Sequence, residues 1–132
     1  MDDLHRVMCV EDDPDIRLIL EFSLGRLAGY EVCLCASGDQ ALEQVPQFRP
    51  QLILLDVMMP GLSGPQTLER LRERGLIDGV PVVFLTAKAM TDELEALLGH
   101  GATGIIVKPF DPVTLGQDIR IYWQHGRGAS SP

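Results

Sequence analysis

The sequence predicts a doubly wound α/β domain, an open parallel sheet of five strands with helices on both faces. Short apolar runs alternate five times with longer segments whose apolar residues recur at three- and four-residue steps, which is typical of strands alternating with amphipathic helices. The third run, at residues 51–56, is apolar almost throughout, as a strand covered on both faces is. A length of 132 residues suits a single domain, because one hydrophobic core usually organises roughly 100–200 residues.

The first strand is predicted at residues 6–10, a short apolar run that stops at three consecutive acidic residues. Asp13 followed by Pro14 is typical of a helix start, because the carboxylate caps the first turn and proline suits the first helical position. An apolar stripe continues as far as Leu27, and this helix is predicted to end at Gly29.

The second strand is predicted at residues 31–36. Ser37 and Gln40 have the spacing of a capping box, in which each side chain bonds the backbone N–H of the other residue. A helix therefore follows. Pro46 and Pro50 are predicted to bound its end, because proline lacks the N–H that a helix interior uses.

The third strand, at residues 51–56, ends on Asp56, and its apolar character places it at the centre of the sheet. Ser63 opens the third helix, which is predicted to close near Gly75.

Two further strand–helix pairs complete the pattern. A strand at 80–85 precedes a helix at 91–98, and a strand at 104–107 precedes a helix that Asp111 and Pro112 are predicted to start.

The chain is predicted to form one domain at residues 1–125, with a flexible tail at 126–132 that is rich in glycine and serine. No apolar run approaches the ~20 residues that span a bilayer, and the N-terminus lacks the basic-then-apolar order of a signal peptide. Cys9, Cys33 and Cys35 lack metal-site spacing, so we expect reduced thiols in a cytoplasmic protein.

The charge balance limits the partners. Nineteen acidic residues against eleven basic ones give a net charge of −8, which disfavours unaided binding to nucleic acid or to an anionic membrane. We therefore expect no direct nucleic-acid contact and no membrane contact. The same charge suits a protein that holds a hard cation.

Polar side chains follow four of the five predicted strands. Glu11 and Asp12 follow the first strand, Asp56 ends the third, Thr86 follows the fourth and Lys108 follows the fifth. The carboxyl ends of parallel strands meet at one edge of a sheet, where open α/β sheets place their functional crevice. We therefore expect three carboxylates, one hydroxyl and one ammonium at a single rim.

These residue types suit magnesium-assisted phosphoryl transfer. Carboxylates ~4 Å apart repel by about 4 kcal/mol at an effective dielectric near 20, and a divalent cation resolves that conflict. Mg²⁺ prefers oxygen ligands and binds through one or two carboxylates plus phosphate. Lys108 and Thr86 could hold phosphoryl oxygens, and Asp56 is the natural nucleophile, forming an acyl phosphate.

Four motifs in order carry a specific resemblance: V-E-D-D-P-D-I-R, L-I-L-L-D-V-M-M-P-G-L-S-G, V-F-L-T-A and V-K-P-F. Together they resemble the receiver domain of two-component response regulators, over a match from about Val7 to Tyr122. The resemblance implies a flavodoxin-like fold with strand order 2-1-3-4-5.

The resemblance also implies roles at the rim. Asp56 matches the phospho-accepting aspartate, Asp12 the direct Mg²⁺ ligand and Glu11 the acidic neighbour that reaches the metal through water. Met58 matches the position whose backbone carbonyl is the third protein ligand. Asp13 lies one place beyond the acidic pair and is assigned to helix capping.

Thr86, Ala87 and Lys108 match the positions that contact the phosphoryl group. Ile105 stands where many receivers have an aromatic residue that rotates when the threonine moves, and an isoleucine has no ring to expose or hide. Lys88 flanks the phosphoryl site.

Met58 flanks the site as well, and these two positions are expected to affect the lifetime of the acyl phosphate. The resemblance further implies a cis peptide bond before Pro109.

The function implied is that of a stand-alone response regulator. A sensor histidine kinase or a histidine phosphotransfer protein would phosphorylate Asp56, and the face formed by helix 4, strand 5 and helix 5 would then bind a downstream protein or a second copy of the chain. The domain would catalyse only its own phosphorylation and slow dephosphorylation.

Three alternatives remain open. A flavin- or nucleotide-binding module would need a Gly- or Ser-rich loop after the first strand, where acidic residues stand instead. An aspartyl-phosphate hydrolase would need a second acid at Met58. A receiver-like scaffold regulated without phosphorylation would keep the fold but not the chemistry.

Overall fold

The computed structural model describes residues 3–87 and 91–129. Within them, five parallel strands form one sheet in the order β2-β1-β3-β4-β5, which confirms the predicted fold. The strands are β1 (Arg6–Val10), β2 (Glu31–Cys35), β3 (Leu52–Asp56), β4 (Val82–Thr86) and β5 (Gly104–Val107). The helices are α1 (Pro14–Leu20), which continues into a π-helical segment (Glu21–Leu27), α2 (Gly38–Phe48), α3 (Gly64–Glu73), α4 (Thr91–Gly99) and α5 (Leu115–Ala129).

Helices cover both faces of the sheet, and alternate strand residues feed two apolar layers. On one face, strand residues such as Met8 and Phe84 pack with α2, α3 and α4. On the other face, strand residues such as Val7 and Val83 pack with α1, the π-helical segment and α5. Strand β3 is buried along its whole length, as the apolar run predicts.

The cysteines are free thiols, and two of them are fully buried. Burial raises the pKa of the Cys9 thiol far above its usual range and that of Cys35 to about 12, with neighbouring thiols adding to both shifts. Such thiols stay protonated and unreactive at neutral pH. Cys33 is only partly buried.

Three helix starts lie where the capping residues predict. The carboxylate of Asp13 accepts from the N–H of Asp15, and the hydroxyl of Ser37 accepts from the N–H of Gln40. Ser63 forms a reciprocal capping box at the start of α3. These signals are local, so the sequence alone is enough to place them.

Helix α2 ends between Pro46 and Pro50, the two prolines that are predicted to bound its end. Pro46 lies inside the helix, which continues to Phe48. The missing proline N–H costs one hydrogen bond near the end of the helix, and Arg49, in the left-handed conformation, closes the turn by donating its N–H to the Val45 carbonyl at 2.9 Å. Pro50 follows directly.

The first helix changes its hydrogen bonding halfway along. Apolar spacing predicts one helix from Asp13 to Gly29, but a wider π turn replaces the α turn after Leu20. The N–H of Ala28, for example, bonds the Ser23 carbonyl five residues earlier at 3.1 Å. Steps of three and four residues identify the buried stripe but not which carbonyl each N–H bonds.

Strand β4 begins at Val82, two residues later than predicted. The last helix also begins later, because Asp111 forms a separate turn: its carboxylate accepts from the N–H of Val113 at 2.9 Å, and its carbonyl accepts from the N–H of Leu115 at 3.0 Å. Helix α5 continues to Ala129, past the boundary predicted at residue 125.

Strand β5 and helix α5 are joined closely at Gly104. A side chain there would overlap the ring of Tyr122, since an added Cβ would lie 2.2 Å from it. The Tyr122 hydroxyl donates to the backbone carbonyl of Ile105 at 3.1 Å.

Within residues 3–87 and 91–129, no helix combines the length and the apolar character that crossing a bilayer requires.

Candidate functional site

The residues predicted at the rim line one pocket at the carboxyl edge of the sheet. The pocket has a volume of about 240 Å³. Its lining comprises Glu11, Asp12, Asp13, Ile16, Asp56, Met58, Thr86, Ala87 and Lys108. Four loops that are far apart in sequence therefore converge, because parallel strands present their carboxyl ends together.

Three carboxylates form the acidic side of the pocket. One oxygen from each of Glu11, Asp12 and Asp56 lies within 4.8 Å of the others. Parallel pairing of β1 with β3 places Val10 beside Leu55, so the residues that follow these two strand positions are neighbours. Glu11 and Asp56 are almost fully buried.

Lys108 bridges the two buried carboxylates. Its Nζ lies 2.8 Å from Oε1 of Glu11 and 3.2 Å from Oδ1 of Asp56. The backbone N–H of Lys108 donates to the carbonyl of Thr86 at 2.7 Å, which fixes the lysine beside the end of β4. One ammonium facing three carboxylates leaves the pocket with an excess of negative charge.

The electrostatics of the pocket shift two pKa values. Burial and the negative charge of Glu11 raise the pKa of Asp56 to about 6, although Lys108 acts in the opposite direction. Burial lowers the pKa of Lys108, but its hydrogen bonds and charge pairing with Glu11 and Asp56 outweigh that effect, so the net pKa is raised. Lys108 is therefore a cation at neutral pH.

The donor set fits a hard divalent cation. Glu11, Asp12 and Asp56 supply carboxylate oxygens only, and oxygen ligands with excess negative charge suit Mg²⁺ rather than a soft metal. The pocket thus has the ligand type and the charge that suit a magnesium ion.

The family of the chain follows from comparison with known proteins. Residues 7–120 match the family model described as the response regulator receiver domain. The chain belongs to this family.

Curated relatives and solved structures agree with this assignment. The chain is 39% identical over 118 residues to the DNA-binding response regulator MtrA of Mycolicibacterium smegmatis, covering 88% of this chain and 49% of MtrA. It is 36% identical over 127 residues to the transcriptional regulatory protein AfsQ1 of Streptomyces coelicolor, covering 95% of this chain and 54% of AfsQ1. The chain therefore spans about half the length of these relatives.

The structure of the chemotaxis protein CheY4 of Vibrio cholerae superposes with a TM-score of 0.83 at 31% identity, covering 90% of this receiver domain and 98% of CheY4. The family is thus shown by sequence and the fold by structure.

Not every residue predicted to act at the phosphoryl site lies in the pocket of this receiver domain. Ile105 is partly buried and packs into the layer formed with α2, α3 and α4, outside the pocket lining. The peptide bond between Lys108 and Pro109 is cis. Lys88 lies outside the described residues.

Met58 lines the pocket and is 69% exposed. Its side chain therefore lies at the solvent-exposed side of the pocket. The metal-binding role of its backbone carbonyl and its effect on phosphoryl lifetime stay predictions.

Gly64 packs against the backbone of Asp56, a contact that the sequence pattern did not indicate. A Cβ at this position would lie 2.4 Å from the backbone carbonyl oxygen of Asp56, and the N–H of Gly64 donates to the carbonyl of Val57 at 2.9 Å. The first turn of α3 therefore packs directly against the backbone of Asp56 and Val57. The sequence shows only that the glycine follows the capping Ser63 of that helix.

Arg17 is the second missed residue. Its Nη1 donates to the backbone carbonyl of Glu11 at 2.8 Å and to that of Asp12 at 2.9 Å. In the sequence it is one polar residue of an amphipathic helix, and nothing in the apolar pattern indicates that it reaches back to the acidic turn.

Proposed function

We propose that this receiver domain accepts a phosphoryl group on Asp56 from the phosphohistidine of a sensor histidine kinase or a histidine phosphotransfer protein. The observation that carries the proposal is the position of Lys108, whose Nζ lies 3.2 Å from Asp56 in a pocket with two further carboxylates. That arrangement supplies a nucleophile, a site for a divalent cation and a fixed positive charge.

In the transfer, one carboxylate oxygen of Asp56 attacks phosphorus in line with the phosphorus–nitrogen bond of the donor. That bond breaks, the imidazole nitrogen leaves with its electron pair, and an acyl phosphate forms on Asp56. The attack requires the ionised carboxyl, and a pKa of about 6 leaves most Asp56 ionised at neutral pH.

Each neighbouring residue has a role in this step. A magnesium ion bound by Glu11, Asp12 and Asp56 would neutralise the charge of the phosphoryl oxygens. Lys108 exchanges its contact with Asp56 for a phosphoryl oxygen, and the hydroxyl of Thr86 donates to another. The cost of bringing an anion to an acidic pocket is reduced in this way.

The proposed response is a population shift at the face formed by α4, β5 and α5. Movement of Lys108 and Thr86 would shift the ends of β4 and β5, because the backbone N–H of Lys108 donates to the carbonyl of Thr86. Strand β5 is part of this face. A downstream protein or a second copy of the chain would read the shift. Free thiols suit a reducing compartment, so we place this activity in the cytoplasm.

Two routes could carry the signal from the phosphorylated receiver to its effect. A stand-alone regulator would act through a partner protein, as the sequence analysis predicts. Relatives named as DNA-binding response regulators are about twice as long as the matched part, so an attached effector segment is the alternative output. The net charge of −8 argues that DNA contact would not come from the receiver itself.

The proposal is tested by incubating the protein with acetyl phosphate and Mg²⁺ and measuring intact mass. The wild type is expected to gain one phosphoryl group that hydroxylamine removes, and chelation of Mg²⁺ is expected to prevent the gain. Asp56→Asn should remain unlabelled. Asp78→Asn, which changes an exposed carboxylate, should label like the wild type.

Equal labelling of the wild type and Asp56→Asn would reject Asp56 as the acceptor. No labelling of the wild type, by acetyl phosphate or by a phosphorylated kinase, would favour a scaffold regulated without phosphorylation.

A further inference from the structure

We infer that Arg17 is a positioning residue of the cation site: its guanidinium holds the backbone of Glu11 and Asp12 so that their carboxylates face the pocket. The inference rests on the proposed function in one respect, that the acidic pocket takes a divalent cation. It assigns a role to a side chain that touches neither the cation nor the phosphoryl group.

The contacts of Arg17 are directed at the main chain of the acidic turn. A single nitrogen, Nη1, donates to the carbonyl of Glu11 at 2.8 Å and to the carbonyl of Asp12 at 2.9 Å. The backbone N–H of Arg17 also donates to the carbonyl of Asp13 at 3.0 Å. Arg17 therefore bonds three consecutive residues at the point where the chain leaves β1 and enters α1.

The acidic turn has few other restraints. The N–H of Glu11 donates to the carbonyl of Cys35 at 2.9 Å, and the N–H of Asp13 donates to Oε2 of Glu11 at 3.0 Å. The carboxylate of Asp13 is used to cap α1. Repulsion between the carboxylates of the pocket would push this turn open when no cation is bound, and the bonds from Arg17 oppose that movement.

Two effects of the guanidinium on cation binding have opposite signs. Its positive charge repels a nearby cation, whereas its hydrogen bonds preorganise the ligands. We expect preorganisation to dominate, because the bonds are direct and charge-assisted while the charge lies on a partly exposed side chain and is screened by salt. Groups that orient metal ligands typically change affinity by 10- to 100-fold when removed.

The test compares three variants of the full chain. Arg17→Gln removes the positive charge and shortens the side chain, so that it no longer spans the distance to the carbonyls of Glu11 and Asp12. Arg17→Lys keeps the positive charge but lacks the guanidinium. Arg26→Gln is the matched control, because Arg26 is exposed and lies further along the same helical stretch. Binding of Mn²⁺, a paramagnetic substitute for Mg²⁺, is measured by electron paramagnetic resonance, and hydrogen exchange of residues 11–13 is measured without metal.

We expect Arg17→Gln to bind Mn²⁺ about 10-fold more weakly and to exchange the amide hydrogens of residues 11–13 faster than the wild type does. Arg17→Lys should be intermediate in both measurements, and Arg26→Gln should stay within about 2-fold of the wild type. In the labelling assay, excess Mg²⁺ should restore the rate of Arg17→Gln, because the reacting groups are intact.

Unchanged or tighter Mn²⁺ binding in Arg17→Gln would overturn the inference, as would a wild type that binds no Mn²⁺. If Arg17→Gln does not fold, the same two measurements on Arg17→Lys decide the matter. Neither measurement requires phosphorylation. A wild type that binds Mn²⁺ but is never labelled would therefore refute the proposed function and leave the role of Arg17 standing.

Discussion

Asp56 combines two properties that oppose each other in the folded protein. Under the proposed function it must be ionised to attack phosphorus, yet it is 4% exposed and lies beside the carboxylate of Glu11. Lys108 compensates only in part, since the pKa of Asp56 is still raised to about 6. The proposed phosphoryl acceptor is therefore also a source of instability in the metal-free domain.

Replacing Asp56 with Asn is expected to stabilise the metal-free domain at pH 7. The carboxyl ionises near pH 4 in the unfolded chain and at about 6 in the folded one. The folded state thus holds the extra proton between these values, and stability falls as pH rises through them. Removing the charge should raise the free energy of unfolding by about 1–3 kcal/mol, given ~1.36 kcal/mol per pKa unit.

Urea unfolding followed through the emission of the single tryptophan, Trp123, measures this difference. The gain should shrink as the pH is lowered towards 4, where the folded wild type is also neutral at Asp56. The exposed control Asp78→Asn should unfold with the wild type. A lower urea midpoint for Asp56→Asn at pH 7 would contradict the explanation.

At the scale of single elements, α3 packs against the backbone of Asp56, and its side chain Arg72 is hydrogen bonded to the residues that follow α4. Gly64 abuts the backbone of Asp56. Arg72 of α3 donates from Nη2 to the carbonyl of Gly101 at 2.8 Å, and from Nη1 to the carbonyl of His100. The end of α4 is thereby held to a helix that itself rests on the site.

Gly64→Ala is expected to damage both stability and labelling. The new Cβ would lie 2.4 Å from the Asp56 carbonyl oxygen, so the start of α3 or the nucleophile must shift, at a cost of about 1–3 kcal/mol. Denaturation and the acetyl phosphate assay test this. Gly99→Ala is the control, because no atom lies within 4 Å of an added Cβ there. Equal stability of the two variants would exclude the close approach.

Arg72→Ala is expected to loosen the C-terminal end of α4. Two hydrogen bonds from a cation to the carbonyls of the two residues that follow α4 are lost, and these bonds hold that end of the helix to α3. Hydrogen exchange of residues 95–101 should accelerate, while labelling of Asp56 should be nearly unchanged. Arg70→Ala changes an exposed arginine of the same helix and should leave this exchange unaltered. Similar acceleration in both variants would argue against the contact.

Elements were predictable where their signals are local. The caps at Asp13, Ser37 and Ser63 depend on residues within one turn, and the structure places all three as predicted. Pro46 and Pro50 bound the end of α2 as predicted, but they do not fix its last residue, because a proline in the last turn costs only one hydrogen bond. The start of α5 was misplaced because the turn at Asp111 uses the same residue types as a helix cap.

For the molecule as a whole, topology explains why the site could be anticipated. Once the pattern predicts five parallel strands, the ends of four of them must share an edge, and the carboxylates of Glu11, Asp12 and Asp56 do converge. The contacts of Arg17 and Gly64 could not be anticipated in this way. They depend on how a side chain folds back and how closely a helix approaches a strand, which periodicity does not encode.

Magnesium is expected to stabilise the whole domain by binding the folded state alone. At a concentration ten times the dissociation constant the gain is about 1.4 kcal/mol, which should raise the thermal midpoint by several degrees. Asp12→Asn removes one carboxylate from the site and should reduce the gain. Sodium at equal ionic strength serves as the control. A rise of equal size in Asp12→Asn, or with sodium, would show that Mg²⁺ acts elsewhere.

The bond from Tyr122 to the main-chain carbonyl of Ile105 has an evolutionary consequence. A backbone acceptor is present whatever amino acid stands at position 105, so mutations there can accumulate without severing the last strand from the last helix. The constraint falls instead on Gly104, where any side chain would collide with the tyrosine ring. Among descendants of this sequence, substitution should be rare at 104 for as long as the tyrosine is kept, whereas 105 should vary among apolar residues, because its side chain packs into an apolar layer.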